Sequence, residues 1–189
     1  MFWSDVLYGV LFEPRATLRR LSIERPLAPA IITFLVVAVF NLTIYRGIIL
    51  QQQYEDLESL IWLYQVVGAI FSFLMLFIMA GLFSLLSELL FKKTNASGLL
   101  VCLGLAALPG ILGPALYYSA LTIDLPWLGL LCSVFVGAWI LVLQVLSLSE
   151  ALDISTGQAI ALYILPAFFI LIGLTLVVGA FSLFGPGMK

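Results

Sequence analysis

The 189-residue chain has no histidine. That absence excludes histidine general bases, Ser-His triads and His-Cys metal sites together. Charge is also scarce: 10% of residues are Asp, Glu, Lys or Arg, against about a quarter in a soluble domain. With 63% hydrophobic residues and a mean hydropathy of +1.21, the chain cannot cover itself with polar surface and must be solvated by lipid. A net charge of −2 and a pI near 4.9 exclude a nucleic-acid-binding surface. No hydrophilic tract is long enough for a second domain, and no low-complexity segment appears.

There are only two cysteines, Cys102 and Cys132. They lie near the starts of successive apolar runs that travel in opposite directions. At about 1.5 Å per helical residue they fall roughly 20 Å apart in depth, and a disulfide needs Cα atoms within about 7 Å. Both are read as buried small hydrophobes.

What is abundant is apolar sequence, in five runs of the length that crosses a hydrocarbon core. They are Leu27–Tyr45, Leu60–Phe91, Leu99–Leu121, Trp127–Leu148 and Ala159–Phe184. Pro26 and Pro29 open the first, where proline is tolerated. The second is long enough to require tilt or extension beyond the core. Between them lie "QQQYEDLES", "KKTNASG", "TIDLPW" and "SLSEALDISTGQ", with Ser155 and Thr156 as candidate N-caps of the fifth. The triple Gln51 to Gln53 reads as an exposed turn. Tyr45, Trp62, Tyr64, Tyr117, Tyr118 and Trp127 cluster at run ends on one side, as in an aromatic belt.

Five spans place the N-terminal segment, the second break and the fourth break on one side. That side holds Arg15, Arg19, Arg20, Arg25, Lys92 and Lys93; the other holds Arg46 and Lys189. The excess orients the N-terminus to the cytoplasm and the C-terminus outside. The same arginines define an amphipathic segment. From Pro14 onward Thr17, Leu18 and Leu21 share one side and Arg15, Arg19 and Arg20 the other. Upstream, Phe2, Trp3, Val6, Leu7 and Val10 form a helical stripe after a possible cap, Ser4. Two short helices broken at Glu13-Pro14 are expected to lie in the cytoplasmic interface, each arginine contributing about 1 kcal/mol against an anionic leaflet. A surface that docks a partner is the alternative use. The first run starts too late and is too long for a signal peptide.

Candidate chemistry is sparse. Glu88 is the one ionisable residue within a run, and an i, i+4 pair with Lys92 accounts for it. Asn41, Gln65 and Gln144 are candidates for hydrogen bonds between helices. Pro109, Gly110 and Pro114 in the third run, with Gly104 and Gly113, and Pro166 in the fifth, are candidates for helix kinks near the bilayer midplane. Paired interrupted helices can mark a transporter's site, but no charge accompanies these and no inverted repeat is visible. Gly110 and Gly113, Gly129 and Gly137, and Gly173 and Gly179 offer places for close helix approach. The N-x-[ST] matches at Asn41 and Asn95 read as chance. No catalytic, cofactor or metal site is proposed.

Three stretches carry a family likeness: "LFEPRATLRRLSIERPL" (11–27), "LLFKKTNASGLLVCLGLAALPGILG" (89–113) and "LSLSEALDISTGQAIALYILP" (146–166). In their order and composition the chain resembles the Yip (Ypt-interacting protein) domain family in its short prokaryotic form. The resemblance implies five spans, N-terminus in and C-terminus out. Its eukaryotic members act in vesicle trafficking, associate with prenylated Rab-type GTPases and with one another, and carry a longer cytosolic N-terminal region. "DVLYG" (Asp5 to Gly9) bears only a faint resemblance to the eukaryotic aspartate-leucine-tyrosine-glycine motif, with its spacing disturbed, so the resemblance does not imply GTPase binding here.

The expected fold is an all-α integral membrane protein: an amphipathic cytoplasmic-interface segment, 1–26, and a five-helix transmembrane domain, 27–189. The expected function is that of a non-enzymatic membrane adaptor or organiser that binds other membrane proteins or lipid. The alternative is a small transporter, channel or lipid translocator using the proline-bearing third and fifth spans. Expected partners are an anionic cytoplasmic leaflet, other membrane proteins and, as a further candidate, copies of itself. The expected location is a prokaryotic cell membrane.

Overall fold

The computed structural model describes residues 3–51 and 58–184, with the side chains of residues 3, 46–51, 58–61, 170, 174 and 176–184 outside the description. The calls on Phe2, Arg46, Gln52, Gln53, Gly179 and Lys189 therefore fall outside what is described. The elements are α1 (Trp3–Phe12), α2 (Pro14–Glu24), α3 (Leu27–Gln51), α4 (Glu58–Phe91), α5 (Ala96–Ala106), a 3-10 turn (Leu108–Ile111), α6 (Leu112–Thr122), α7 (Pro126–Leu152) and α8 (Thr156–Phe184). No strand occurs among the described residues. Five helical stretches are long and apolar enough to cross a membrane, with α5, the turn and α6 together forming the third.

The third span is the axis of the bundle. In its most apolar 18-residue stretch 67% of the residues are buried inside the protein, against 11–17% in the matching stretches of the other four, which leave most of their surface for lipid. Every residue of α5 from Gly98 to Ala106 is buried. Hydroxyls and a thiol stitch its neighbours to it: Ser147 Oγ donates to Cys102 O at 3.2 Å, and Cys102 Sγ to Leu18 O at 3.4 Å. Such bonds matter where no water competes for the carbonyls. Both cysteines are free; Cys102 is buried as expected, whereas Cys132 is only half-buried.

Helices α1 and α2 break at Glu13 with Pro14 opening α2, where the sequence placed the break. Their apolar stripe is covered by the protein itself. Val6, Val10 and Leu21 are buried with Val101, Leu105, Ala106 and Leu143, and Leu18 joins the larger cluster around Leu99 and Leu148. Tyr8, Phe12 and Ile23 stay exposed, the first two as stacked rings 4.6 Å apart. Ser4 lies within the first turn of α1 rather than ahead of it.

Several local expectations need correction. The fourth break is only Asp153 to Ser155, because the serines expected to loosen it are satisfied inside α7: Ser147 Oγ also reaches Leu143 O, and Ser149 Oγ reaches Ile154 O. Ser155 caps α8, its Oγ accepting from Gln158 N while Gln158 Oε1 accepts from Ser155 N. This is a reciprocal capping box; Thr156 is already the first helical residue. Gln51 is the last residue of α3 rather than part of a turn. Gly129 does mark a close approach, since a Cβ there would meet Ala120 Cβ at 2.8 Å and Tyr117 Cα at 2.9 Å. Gly137 and Gly173 face open space.

Candidate functional site

One end of the bundle gathers the N-terminal helices, the α4–α5 turn and the α7–α8 turn. Its centre is Asn95. As N-cap of α5 its Oδ1 accepts from Gly98 N at 3.1 Å, the usual way an asparagine satisfies a helix's first free donors. Its Nδ2 then donates to Ala151 O at 3.0 Å and Ser22 O at 3.3 Å, the last turns of α7 and α2. One side chain thus fixes three elements. Position 98 must be glycine to allow it, because a Cβ would collide with the Asn95 amide and lie 2.7 Å from Ser22 O.

Around this centre lies charge. Arg15, Arg19, Arg20 and Arg25 are all exposed on α2 and its end. Arg15 Nη2 reaches Thr156 Oγ1 at 3.5 Å, and Arg20 pairs with Glu24 at 2.7 Å. Lys93 Nζ meets Asp153 Oδ2 at 3.0 Å across the two turns. That hydrogen bond, then the Lys93 charge and more weakly Arg19, hold the exposed Asp153 carboxyl below its usual range. Arg25, Lys92 and Asp153 each sit at a helix C-terminus with φ of 50°, 56° and 52°. A fourth such residue, Asp124, lies at the opposite end (φ 55°). Glycine is the usual choice for this left-handed position. Here exposed charged residues occupy it.

The expected Glu88–Lys92 pair does not form. The helix ends at Phe91. Lys92 N still donates to Glu88 O at 3.0 Å, but the left-handed backbone at Lys92 turns its side chain off the helical course that would carry it to Glu88. Glu88 is exposed near the same end.

The prolines lie deeper. Pro109 is the second residue of the 3-10 turn that divides α5 from α6, and Pro109 and Gly110 are buried there. Pro114 falls in the first turn of α6, and Pro166 lies inside α8 without ending it. A cavity of about 500 Å³ lies among α3, α4, α5, α7 and α8, with Pro166 in its wall beside Gln144, Tyr163 and Ala107. Tyr163 Oη donates to Gln144 Oε1 at 2.6 Å, the interhelical bond expected of that glutamine. Gly110, Gly113 and Pro114 line a different cavity of about 470 Å³, with Asn41 and Tyr117. Asn41 Oδ1 is buried and has no partner, so Asn41 is not the interhelical bridge expected. Gln65 lines a smaller cavity against Val39 and Leu42.

Sequence reasoning found the arginines and the prolines but missed Asn95, Asp153 and the cavity beside Gln144. Only the capping role of Asn95 had a signal: an asparagine in the break a few residues before an apolar run is a helix-start residue. Among the described residues no group of Cys, Asp and Glu is arranged to hold a metal ion.

No curated protein and no solved structure matches the chain. The Yip1 domain matches residues 8–178, from within α1 to within α8. That span contains the basic end, the bundle axis and the three cavities, in a chain with five stretches long and apolar enough to cross a membrane. This multi-pass membrane protein belongs to the Yip1 domain family.

Proposed function

We propose that the protein is a non-enzymatic adaptor that receives other membrane proteins at its basic end, on the cytoplasmic side of a membrane with an anionic leaflet. The observation that carries this reading is the Asn95 junction. It holds α2, α5 and α7 in one arrangement, so Arg15, Arg19 and Arg25 are presented from a fixed frame. Preorganised charge selects a partner with less loss of conformational freedom than a mobile tail. The count of six Lys and Arg at this end against two elsewhere supports the cytoplasmic orientation. Crosslinking in native membranes tests the reading. Neutralising Arg15, Arg19 and Arg25 to Gln should cut partner capture severalfold while the protein still inserts. Unchanged capture would refute it.

A second reading, a small transporter, channel or lipid translocator, is favoured by the cavity against Pro166. Against it, the break in the third span gives only Ala107, at its start, to the cavity that Pro166 lines, while Gly110 and Pro114 line another. Among the described residues no charged side chain lines either one. Pro109→Ala with Pro166→Ala should leave partner capture nearly intact. Ion or lipid flux in reconstituted wild-type vesicles that vanishes in this double variant would reverse the order of the two readings.

A further inference from the structure

The cavity among α3, α4, α5, α7 and α8 is closed on its inner side by α5 and opens outward. Two of its lining residues, Met79 on α4 and Ala167 on α8, are exposed on the lipid-facing surface. Between the same helices Phe83 and Tyr163 stack with centroids 5.9 Å apart, bounding the opening toward the basic end. The wall is mostly apolar: Phe34, Met75, Leu76 and Leu103 face it, with Ser72, whose hydroxyl is given to Gly68 O. One polar group stands out. Gln144 spends its oxygen on Tyr163, and among the described residues no acceptor takes its amide N–H groups. Gln144 lies eight residues before the end of α7, about 12 Å from the basic end. That is a few ångströms inside the hydrocarbon boundary.

We propose that this cavity binds the acyl chain of one glycerophospholipid, entering from the bilayer between α4 and α8, with an ester carbonyl accepting from the Gln144 amide. Size, wall and mouth each support the assignment. A volume of about 500 Å³ lies within the 300–1,000 Å³ usual for small-molecule sites, which are apolar with few polar contacts. Water is a poor occupant, because an internal water needs two to four polar partners and the mouth faces lipid. A partner helix, about 10–12 Å across, needs an open groove along its length, whereas this opening is bounded by Phe83 and Tyr163. A lipid chain is the apolar, flexible molecule present at that mouth, and its ester supplies the missing acceptor. The site is separate from the basic end, so it stands whether or not proteins dock there.

The test uses the full-length protein in vesicles doped with phosphatidylcholine that carries a photoreactive diazirine in one acyl chain. Labelled residues are mapped by peptide mass spectrometry. A matched diether lipid lacks the carbonyl. In the wild type, the ester probe should label the interior residues Met75, Leu103 and Ala107 as well as outward residues such as Phe135 and Phe168. Gln144→Leu should lower interior labelling roughly two- to tenfold, the span of one hydrogen bond, and leave outward labelling unchanged. The diether probe should label the interior of the wild type no better than the ester probe labels the variant. Ala107→Phe should fill the cavity and abolish interior labelling alone. Should that variant fail to insert, native mass spectrometry of the detergent-purified wild type serves instead, with one phospholipid retained per chain and lost in Gln144→Leu. Labelling confined to outward residues would overturn the proposal. So would equal interior labelling by ester and diether probes.

Discussion

Asn95 makes three hydrogen bonds with one short side chain, and each joins a different helix end. Replacing it by alanine should cost about 2–4 kcal/mol, summing a lost cap with two lost bonds. Asn95→Asp keeps the capping oxygen but not the donors, so it should lie between wild type and alanine in thermal unfolding of the detergent-purified protein. Ser87 offers the opposite case, because its hydroxyl is fully buried and has no partner. Ser87→Ala removes an unsatisfied group and should be neutral or stabilising by about 1 kcal/mol. At the surface, the Asp153 carboxyl should titrate below the ordinary aspartate value of about 3.9, because Lys93 favours its charged form. A depressed folded-state pKa means that its stabilisation is present above the unfolded value. That stabilisation is lost as pH falls through the folded one. Carbon-13 titration of Asp153 should show the depression, and Lys93→Gln should remove most of it. The four arginines were readable because charge in an apolar chain is conspicuous. The reach of Asn95 beyond its capping role was not, since its two long-range acceptors are backbone carbonyls, and every residue in a sequence has one.

Helix α7 shows what one glycine does for a whole element. Where it crosses α6, Gly129 brings the backbones together, and Ser133 Oγ reaches Gly113 O at 3.3 Å. Gly129→Val should force the pair apart and cost about 1–3 kcal/mol by overpacking. Gly137→Val, two turns later with nothing within 4 Å, should change stability by less than about 0.5 kcal/mol. Equal effects in a thermal-shift comparison would show that the α6–α7 crossing is not set at position 129. The elements themselves were legible, since twenty apolar residues have few alternatives to a spanning helix. The division of the third span at Pro109 was legible too, because proline removes a donor. What escaped were the ends: α7 runs on through Leu152 because Ser147 and Ser149 find carbonyls within the bundle. Hydropathy alone cannot tell a satisfied serine from an exposed one.

For the molecule as a whole, orientation is the property that every surface reading depends on. Single cysteines at Asp124 and Lys92 test it best. Both positions are exposed, and they lie at opposite ends. A membrane-impermeant thiol reagent applied to intact cells should label Asp124→Cys and spare Lys92→Cys; the reverse would turn the basic end outward. The Asn95 junction also bears on how the chain comes to be assembled. Ser22 is made early, and Ala151, which shares its amide donor, follows roughly 130 residues later. At about 5–20 residues per second this delay is on the order of ten seconds. Throughout that interval the face of α2 formed by Leu18 and Leu21 has been synthesised, and its final cover on α7 has not. The nascent protein therefore passes through a stage in which its first helices must shelter elsewhere, at the bilayer surface or against the insertion machinery. Chains stalled before α7 should leave Leu18 open to a membrane-embedded photoprobe, and completed chains should not.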